Sequence, residues 1–190
     1  MTLVFATHNL GKLKEVKALL PHLTVKGLTE IGCTEDIVED APTIEGNAIL
    51  KAKYVKENYG LDCIADDSGL EIEALNGDPG VFSARYAGLE KDPQKNIEKV
   101  LRNLAAQSNK NAQFKTVIAY AKQETITTFE GICKGQIIEE QRGENGFGYD
   151  PIFIPESHTQ TFAEMTDTEK GQLSHRAKAI EQFIGHLDKS

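Results

Sequence analysis

Cysteine is scarce in this chain: its 190 residues carry three, at Cys33, Cys63 and Cys133. An odd number at such wide spacing builds neither a disulfide framework nor a zinc site, and a reducing cytosol is the compartment to expect. Long apolar runs are missing too. The longest near the start, Leu3 to Ala6, is far too short for a secretory leader or a membrane span, so no membrane partner is expected. Positive charge is in deficit, 21 Lys and Arg against 29 Asp and Glu, for a net −8. A general nucleic-acid binder needs a basic surface, so no nucleic acid is expected either. A small polyanion remains open, because a few Lys and Arg converging on one pocket suffice locally. With no low-complexity stretch, the length fits one domain, or two small lobes sharing one sheet, with a sound core.

What is present reads as an α/β fold. Leu3-Val4-Phe5-Ala6 has the all-apolar character of a buried strand. It runs into Thr7-His8-Asn9-Leu10-Gly11-Lys12 and then a helix with Leu13, Val16, Leu19 and Leu20 on one face. Strand, short polar turn and helix aim N–H groups and a positive dipole end at an anion, and Lys12 adds a full charge. The Walker glycines are absent. Asn9 as a simple helix cap is the plainer alternative. A second strand is expected around Thr24 to Leu28, then an acidic loop, Glu35 to Pro42, whose carboxylates read mostly as solvated. A long amphipathic helix follows over Thr43 to Tyr59, with Lys51 and Lys53 off its apolar stripe.

Cys63 to Ala65 reads as a buried strand stopping at two adjacent carboxylates, Asp66 and Asp67, after which Ser68 and Gly69 turn the backbone. Such a pair suits a hard divalent cation such as Mg²⁺, which takes oxygen ligands and often phosphates. An ordinary Asp-Ser-Gly turn is the alternative. Asn76 to Gly80 is a turn, Val81 to Gly88 has no clear assignment, and Asp92-Pro93 starts a helix buried through Ile97, Val100, Leu101 and Leu104. Phe114 to Ala121 and Ile126 to Ile138 form an antiparallel hairpin, so the central sheet is expected to be mixed.

Gly143 to Pro151 alternates glycines with Phe147 and Tyr149. Their rings either stack on a nucleobase, worth about 1–3 kcal/mol per base, or turn into the core. Thr166-Asp167-Thr168-Glu169 has capping-box form. Ser174 then starts a last helix, which places His175 and Arg176 in an exposed first turn where cations oppose the dipole.

Together these motifs resemble the inosine/xanthosine triphosphate pyrophosphatases. The resemblance runs in order through Ala6 to Lys12, Glu45-Gly46-Asn47-Ala48 with Lys51-Ala52, Ala65 to Leu70, Pro79-Gly80 with Ser83 to Tyr86, Gly146 to Pro151, and Ser174-His175-Arg176. It implies a single domain over 1–190, a mixed sheet flanked by helices, and two lobes with an active-site cleft between them. It further implies cleavage of ITP, dITP and XTP to the monophosphate and pyrophosphate by a cytoplasmic homodimer using Mg²⁺. On this chain it sets Thr7, His8, Asn9, Leu10, Gly11, Lys12 and Lys51 against the phosphates and Ser68 against the substrate. Asp67 is set as catalytic carboxylate and metal ligand, Glu39 as a second metal ligand, and Asp66 as a further ligand, a base, or an orienting group. Phe147, Gly148, Tyr149 and Asp150 match the base-stacking loop, and Lys170, His175 and Arg176 match base contacts.

The chain departs from the family at two positions. His8 stands where the family commonly has Gly, and Gly46 where it often has Glu. If that Glu assists the metal in relatives, Glu45 or Asp66 would serve here. Two other readings compete: a Maf-type pyrophosphatase for pyrimidine or modified nucleotides, and a non-catalytic nucleotide sensor.

Overall fold

A computed structural model describes residues 2–189. The strands are β1 (Thr2–Phe5), β2 (Thr24–Lys26), β3 (Cys63–Ile72), β4 (Asn111–Lys122), β5 (Thr125–Ile137) and β6 (Phe153–Pro155). The helices are α1 (Leu10–Leu19), α2 (Ile44–Tyr59), α3 (Pro93–Leu104), α4 (Asp167–Leu173) and α5 (His175–Leu187). The strands make one six-stranded sheet in the order β2-β1-β3-β4-β5-β6. β1 pairs in parallel with β2 and β3, and β5 pairs antiparallel with β6. Gln123-Glu124 alone joins β4 to β5, a connection only antiparallel neighbours allow. The sheet is mixed.

The chain divides into two compact units. The first comprises the N-terminal stretch as far as Asp67, Thr116–Gly131, and the stretch from Arg176 onward. Leu3 and Phe5 of β1 and Ile64 of β3 pack there against Val16 of α1, Leu20 just after it, and Ala179, Ile180 and Phe183 of α5. Alternation along a strand turns Cys63 to the opposite face, where its Sγ lies 3.1 Å from the Ala52 carbonyl of α2. α2 starts where its sequence says: Thr43 Oγ1 accepts the Gly46 N–H at 3.0 Å, and Gly60 ends it at φ +66.

The second unit comprises Ser68–Lys115 and Ile132–His175. Its core joins Leu70 and Ile72 of β3, Ile97, Val100 and Leu104 of α3, Phe114 of β4, Cys133 and Ile137 of β5, and Phe153 and Phe162. Phe114 and Phe153 meet edge to face at 4.7 Å. Asp92 caps α3 through the Gln94 N–H, and Thr166 and Glu169 complete the capping box of α4. Val81–Gly88, which has no pattern in sequence, is largely a 3-10 turn over Gly80–Arg85. The three cysteines are buried and form no disulfide among the described residues, in which no helix is long and apolar enough to cross a membrane.

Two local expectations are corrected. β3 does not stop at Ala65; it continues through Asp66, Asp67, Ser68 and Gly69 to Ile72. The turn propensity of those residues is overridden because β3 lies inside the sheet, between β1 and β4, where ladder partners hold its backbone extended. His175 and Arg176 do not occupy an exposed first turn: both are buried.

Candidate active site

The unbroken course of β3 decides how its two carboxylates are used. Successive side chains on a strand point to opposite faces, so Asp66 shares the face of Ile64 and Asp67 the face of Cys63. Asp66 meets the α1 and α5 side: Lys12 Nζ donates to Oδ1 at 3.0 Å, and Arg176 Nε and Nη2 donate to Oδ2 at 3.0 and 2.9 Å. Arg176 Nη1 also pairs with Glu15 of α1. Burial alone would raise the Asp66 pKa, but the Lys12 and Arg176 charges outweigh it and hold the carboxyl far below the usual range. Burial, with Lys51 and Arg176 nearby, lowers Lys12.

Asp67 faces α2. Asn47 Nδ2 donates to its Oδ2 at 3.3 Å, and Lys51 Nζ lies 4.0 Å from its Oδ1. Here burial wins and pushes the carboxyl above its ordinary value, with Lys51 and Lys12 pulling the other way. The same Lys51 Nζ donates to Glu39 Oε1 at 2.9 Å. Burial would lower Lys51, but Glu39 and Asp67 together raise it. One ammonium thus stands against two carboxylates from separate parts of the chain.

Asn47 had no role in the sequence reading beyond motif membership. Fully buried, it accepts the Ala41 N–H on Oδ1 at 2.9 Å while its amide reaches Asp67. An Asn one turn from Ile44 and beside Ala48, on the buried side of an amphipathic helix, was the available signal. Glu15 was also missed; a lone Glu in a charged helix carries no such mark.

The turn from Thr7 to Lys12 is held by its own side-chain oxygens. Asn9 Oδ1 caps α1 through the Lys12 N–H at 3.0 Å, Thr7 Oγ1 accepts the Asn9 N–H at 3.0 Å, and Leu10 is exposed. Gly46 packs under Ala41, where a larger side chain would collide. Glu45 accepts from Thr128 Oγ1 at 3.0 Å, while Lys53 pairs with Glu57 on the surface.

In the second unit, Ser68 is half-buried on β3. The glycine-rich loop splits its aromatics. Tyr149 turns inward and donates from its hydroxyl to the Ser83 carbonyl at 2.6 Å, whereas Phe147 stays half-buried. Asp150 Oδ2 accepts the Phe147 N–H at 3.0 Å and the Lys170 Nζ at 2.7 Å, a buried ion pair. The Lys170 ammonium also lies 4.8 Å from the centre of the Phe147 ring. His175 stacks on Phe114, with ring centres 4.7 Å apart. Gly146 at φ +73 and Gly148 at φ +61 allow the tight fold, and a side chain at Gly146 would strike the Asp150 carboxylate.

The family whose model matches the chain is the Ham1 family, over residues 3–186. The dITP/XTP pyrophosphatase of Christiangramia forsetii is 50% identical over 190 residues, covering 100% of both chains. That of Flavobacterium johnsoniae is 52% identical over 188 residues, 98% of each chain. Among solved structures, a HAM1 protein from Coxiella burnetii superposes with a TM-score of 0.90 at 42% identity, covering 100% of both chains. The agreement takes in every strand after the first residue of β1 and all five helices but the last residue of α5, and the chain belongs to the Ham1 family.

Proposed function

We propose that this chain hydrolyses non-standard purine nucleoside triphosphates, dITP, XTP and ITP, to the monophosphate and pyrophosphate. The observation that carries the reading is Asp67: a buried carboxylate of raised pKa beside Lys51 and Glu39, in a chain half identical to dITP/XTP pyrophosphatases. A carboxylate lifted toward neutrality is a better proton acceptor for an attacking water.

The residues present fit a divalent metal. Glu39 and Asp67 already share one cation, the Lys51 ammonium, and both offer the hard oxygens Mg²⁺ prefers. Among the described residues no group of three or more His, Cys, Asp or Glu is arranged to cage an ion. That suits Mg²⁺, which commonly binds through one or two carboxylates and completes its shell with water and substrate phosphates. When bound, it would supply charge against the phosphate oxygens and a lowered water pKa.

Asp67 orients the water for in-line attack at the α-phosphorus and takes its proton; Asn47 fixes the carboxylate. The leaving pyrophosphate lies against Lys12, Lys51 and the first turn of α1. Asp66 holds Lys12 and Arg176 in place. Phe147 offers the stacking face, and Lys170 and His175 face the base, with Arg176 next in the chain. Protein N–H groups facing position 6 donate to the carbonyl oxygen of hypoxanthine or xanthine and leave the amino group of adenine unpaired, at about 1–3 kcal/mol per buried group. Three buried cysteines outside any disulfide among the described residues suit a cytoplasmic enzyme, and a homodimer is the assembly proposed.

³¹P NMR of ITP with Mg²⁺ tests the reading. Inosine monophosphate and pyrophosphate are expected, with ATP turned over at least tenfold more slowly, a margin of about 1.4 kcal/mol. Orthophosphate as the sole released product would overturn attack at the α-phosphorus. Preferred turnover of dTTP or UTP would favour the Maf-type activity, and binding of ITP without turnover a sensor.

Gly146→Ala is expected to raise KM for ITP about tenfold with a smaller effect on kcat. It displaces Asp150 and breaks the charge-assisted bond that holds Phe147, worth about 1.5–3 kcal/mol. An unchanged KM would mean the loop does not touch the base.

A further inference from the structure

His8 stands in the Thr7 to Lys12 turn, and its ring reaches far along the chain. Nε2 lies 3.0 Å from the backbone carbonyl oxygen of Glu35, a separation of 27 residues. A carbonyl oxygen only accepts, so the ring carries hydrogen on Nε2 and donates. The acceptor belongs to a segment, residues 33–43, that contains no helix or strand and presents Glu39 toward Lys51. Such a segment is held by discrete contacts. At its ends Cys33 N–H bonds the Leu28 carbonyl at 3.0 Å and Ala41 N–H bonds Asn47 Oδ1 at 2.9 Å. Between them, Tyr59 Oη reaches Glu35 Oε2 at 3.4 Å, and His8 holds the Glu35 backbone itself.

We propose that His8 is a positioning residue: its Nε2–H latches the Glu35 carbonyl to the phosphate turn and so keeps Glu39 beside Lys51 and Asp67. The proposal rests on the reading of Glu39 and Asp67 as the Mg²⁺ ligands. Four residues of extended chain span about 13–14 Å, so a fixed point at residue 35 sharply limits where residue 39 travels. A glycine at position 8 offers no such tether. The latch also joins the element that meets phosphate to the element that meets metal, so one hydrogen bond sets their spacing.

The test compares His8→Ala with His8→Gln, whose amide nitrogen restores a donor near the position of Nε2 without an imidazole. Two readouts are taken on the full-length protein. The first needs no activity: nicking after Glu35 or Glu39 by a glutamyl endopeptidase under native conditions, mapped by mass spectrometry. Loss of one hydrogen bond from an exposed segment is expected to speed nicking about three- to tenfold in His8→Ala, with His8→Gln near wild type. The second is steady-state hydrolysis of ITP. In His8→Ala the Mg²⁺ concentration for half-maximal rate is expected to rise by the same factor, and by more than KM for ITP does; His8→Gln restores it.

Equal nicking in all three proteins would overturn the latch. So would a rise in KM for ITP with the Mg²⁺ dependence unmoved, which would place the ring against the phosphates instead. A wild-type protein that hydrolyses none of ITP, dITP and XTP would refute the proposed function, and the nicking rates would still decide the latch.

Discussion

Asp67→Asn is expected to lower kcat for ITP by about 10²- to 10⁴-fold, the usual range for removing a positioned general base, while leaving the protein at least as stable as the wild type. The two halves of that result share one cause. Burial raises the pKa of Asp67 in the folded state above its ordinary 3.8, with Lys51 and Lys12 only partly compensating. Between those two values the folded state binds more protons than the unfolded one, so stability falls as pH rises through the window. At neutral pH the ionised carboxylate is therefore a standing cost to the fold. Asparagine removes that cost, keeps an oxygen for the Asn47 amide 3.3 Å away, and leaves Lys51 its partner Glu39. Such an opposition of activity and stability is what a strained catalytic group produces. Rate and melting temperature measured on the same preparation at pH 7.5 decide the matter. A fall in kcat of less than about fivefold, or a clear fall in melting temperature, would remove Asp67 from the role given to it.

Much of this frame was legible in the chain itself. α2 and α3 announce themselves by apolar spacing and by Thr43 and Asp92 at their starts, because helix periodicity and caps are local properties. The β4–β5 hairpin is legible for the same reason. The course of β3 was not. Asp-Asp-Ser-Gly reads as a turn until its neighbours in the sheet are known, and those neighbours come from distant parts of the sequence. Arg176 shows the same limit more sharply. Its contact with Asp66 spans 110 residues, and nothing near position 176 signals that the guanidinium will be buried against β3 and α1. Phe147 and Tyr149 share one loop and one residue class, yet part company because the Tyr149 hydroxyl finds the Ser83 carbonyl. The adjacent aspartates could be named as a chemical pair from the sequence. Their separation onto opposite faces, Asp66 against Lys12 and Arg176 and Asp67 against Asn47 and Lys51, needed the strand to run straight.

That separation sets the second large effect. Asp66→Asn is expected to destabilise the protein by about 3–5 kcal/mol, because it leaves the buried charges of Arg176 and Lys12 without their shared anion. For a chain of this length that corresponds to a fall of roughly 6–20 °C in melting temperature. Glu15 continues to hold one arm of Arg176, which keeps the variant foldable at low temperature. The pH dependence gives an independent check. Asp66 titrates far below 3.8 in the folded state, so its stabilising contribution is complete above the unfolded value and drains away as pH falls through the window beneath it. The gap between wild type and Asp66→Asn is therefore expected to stay constant from pH 5 to pH 8 and to narrow below about pH 4. Arg176→Met separates the pair from its parts: removing both partners should cost less than the sum of the single losses, since neither Asp66 nor Arg176 is then left as a buried charge facing the gap where the other stood. Activity in Asp66→Asn should fall through misplacement of Lys12, tracking the loss of fold rather than the loss of a proton acceptor. Two asparagine variants with equal losses of kcat and equal melting temperatures would mean that the faces of β3 do not divide the work.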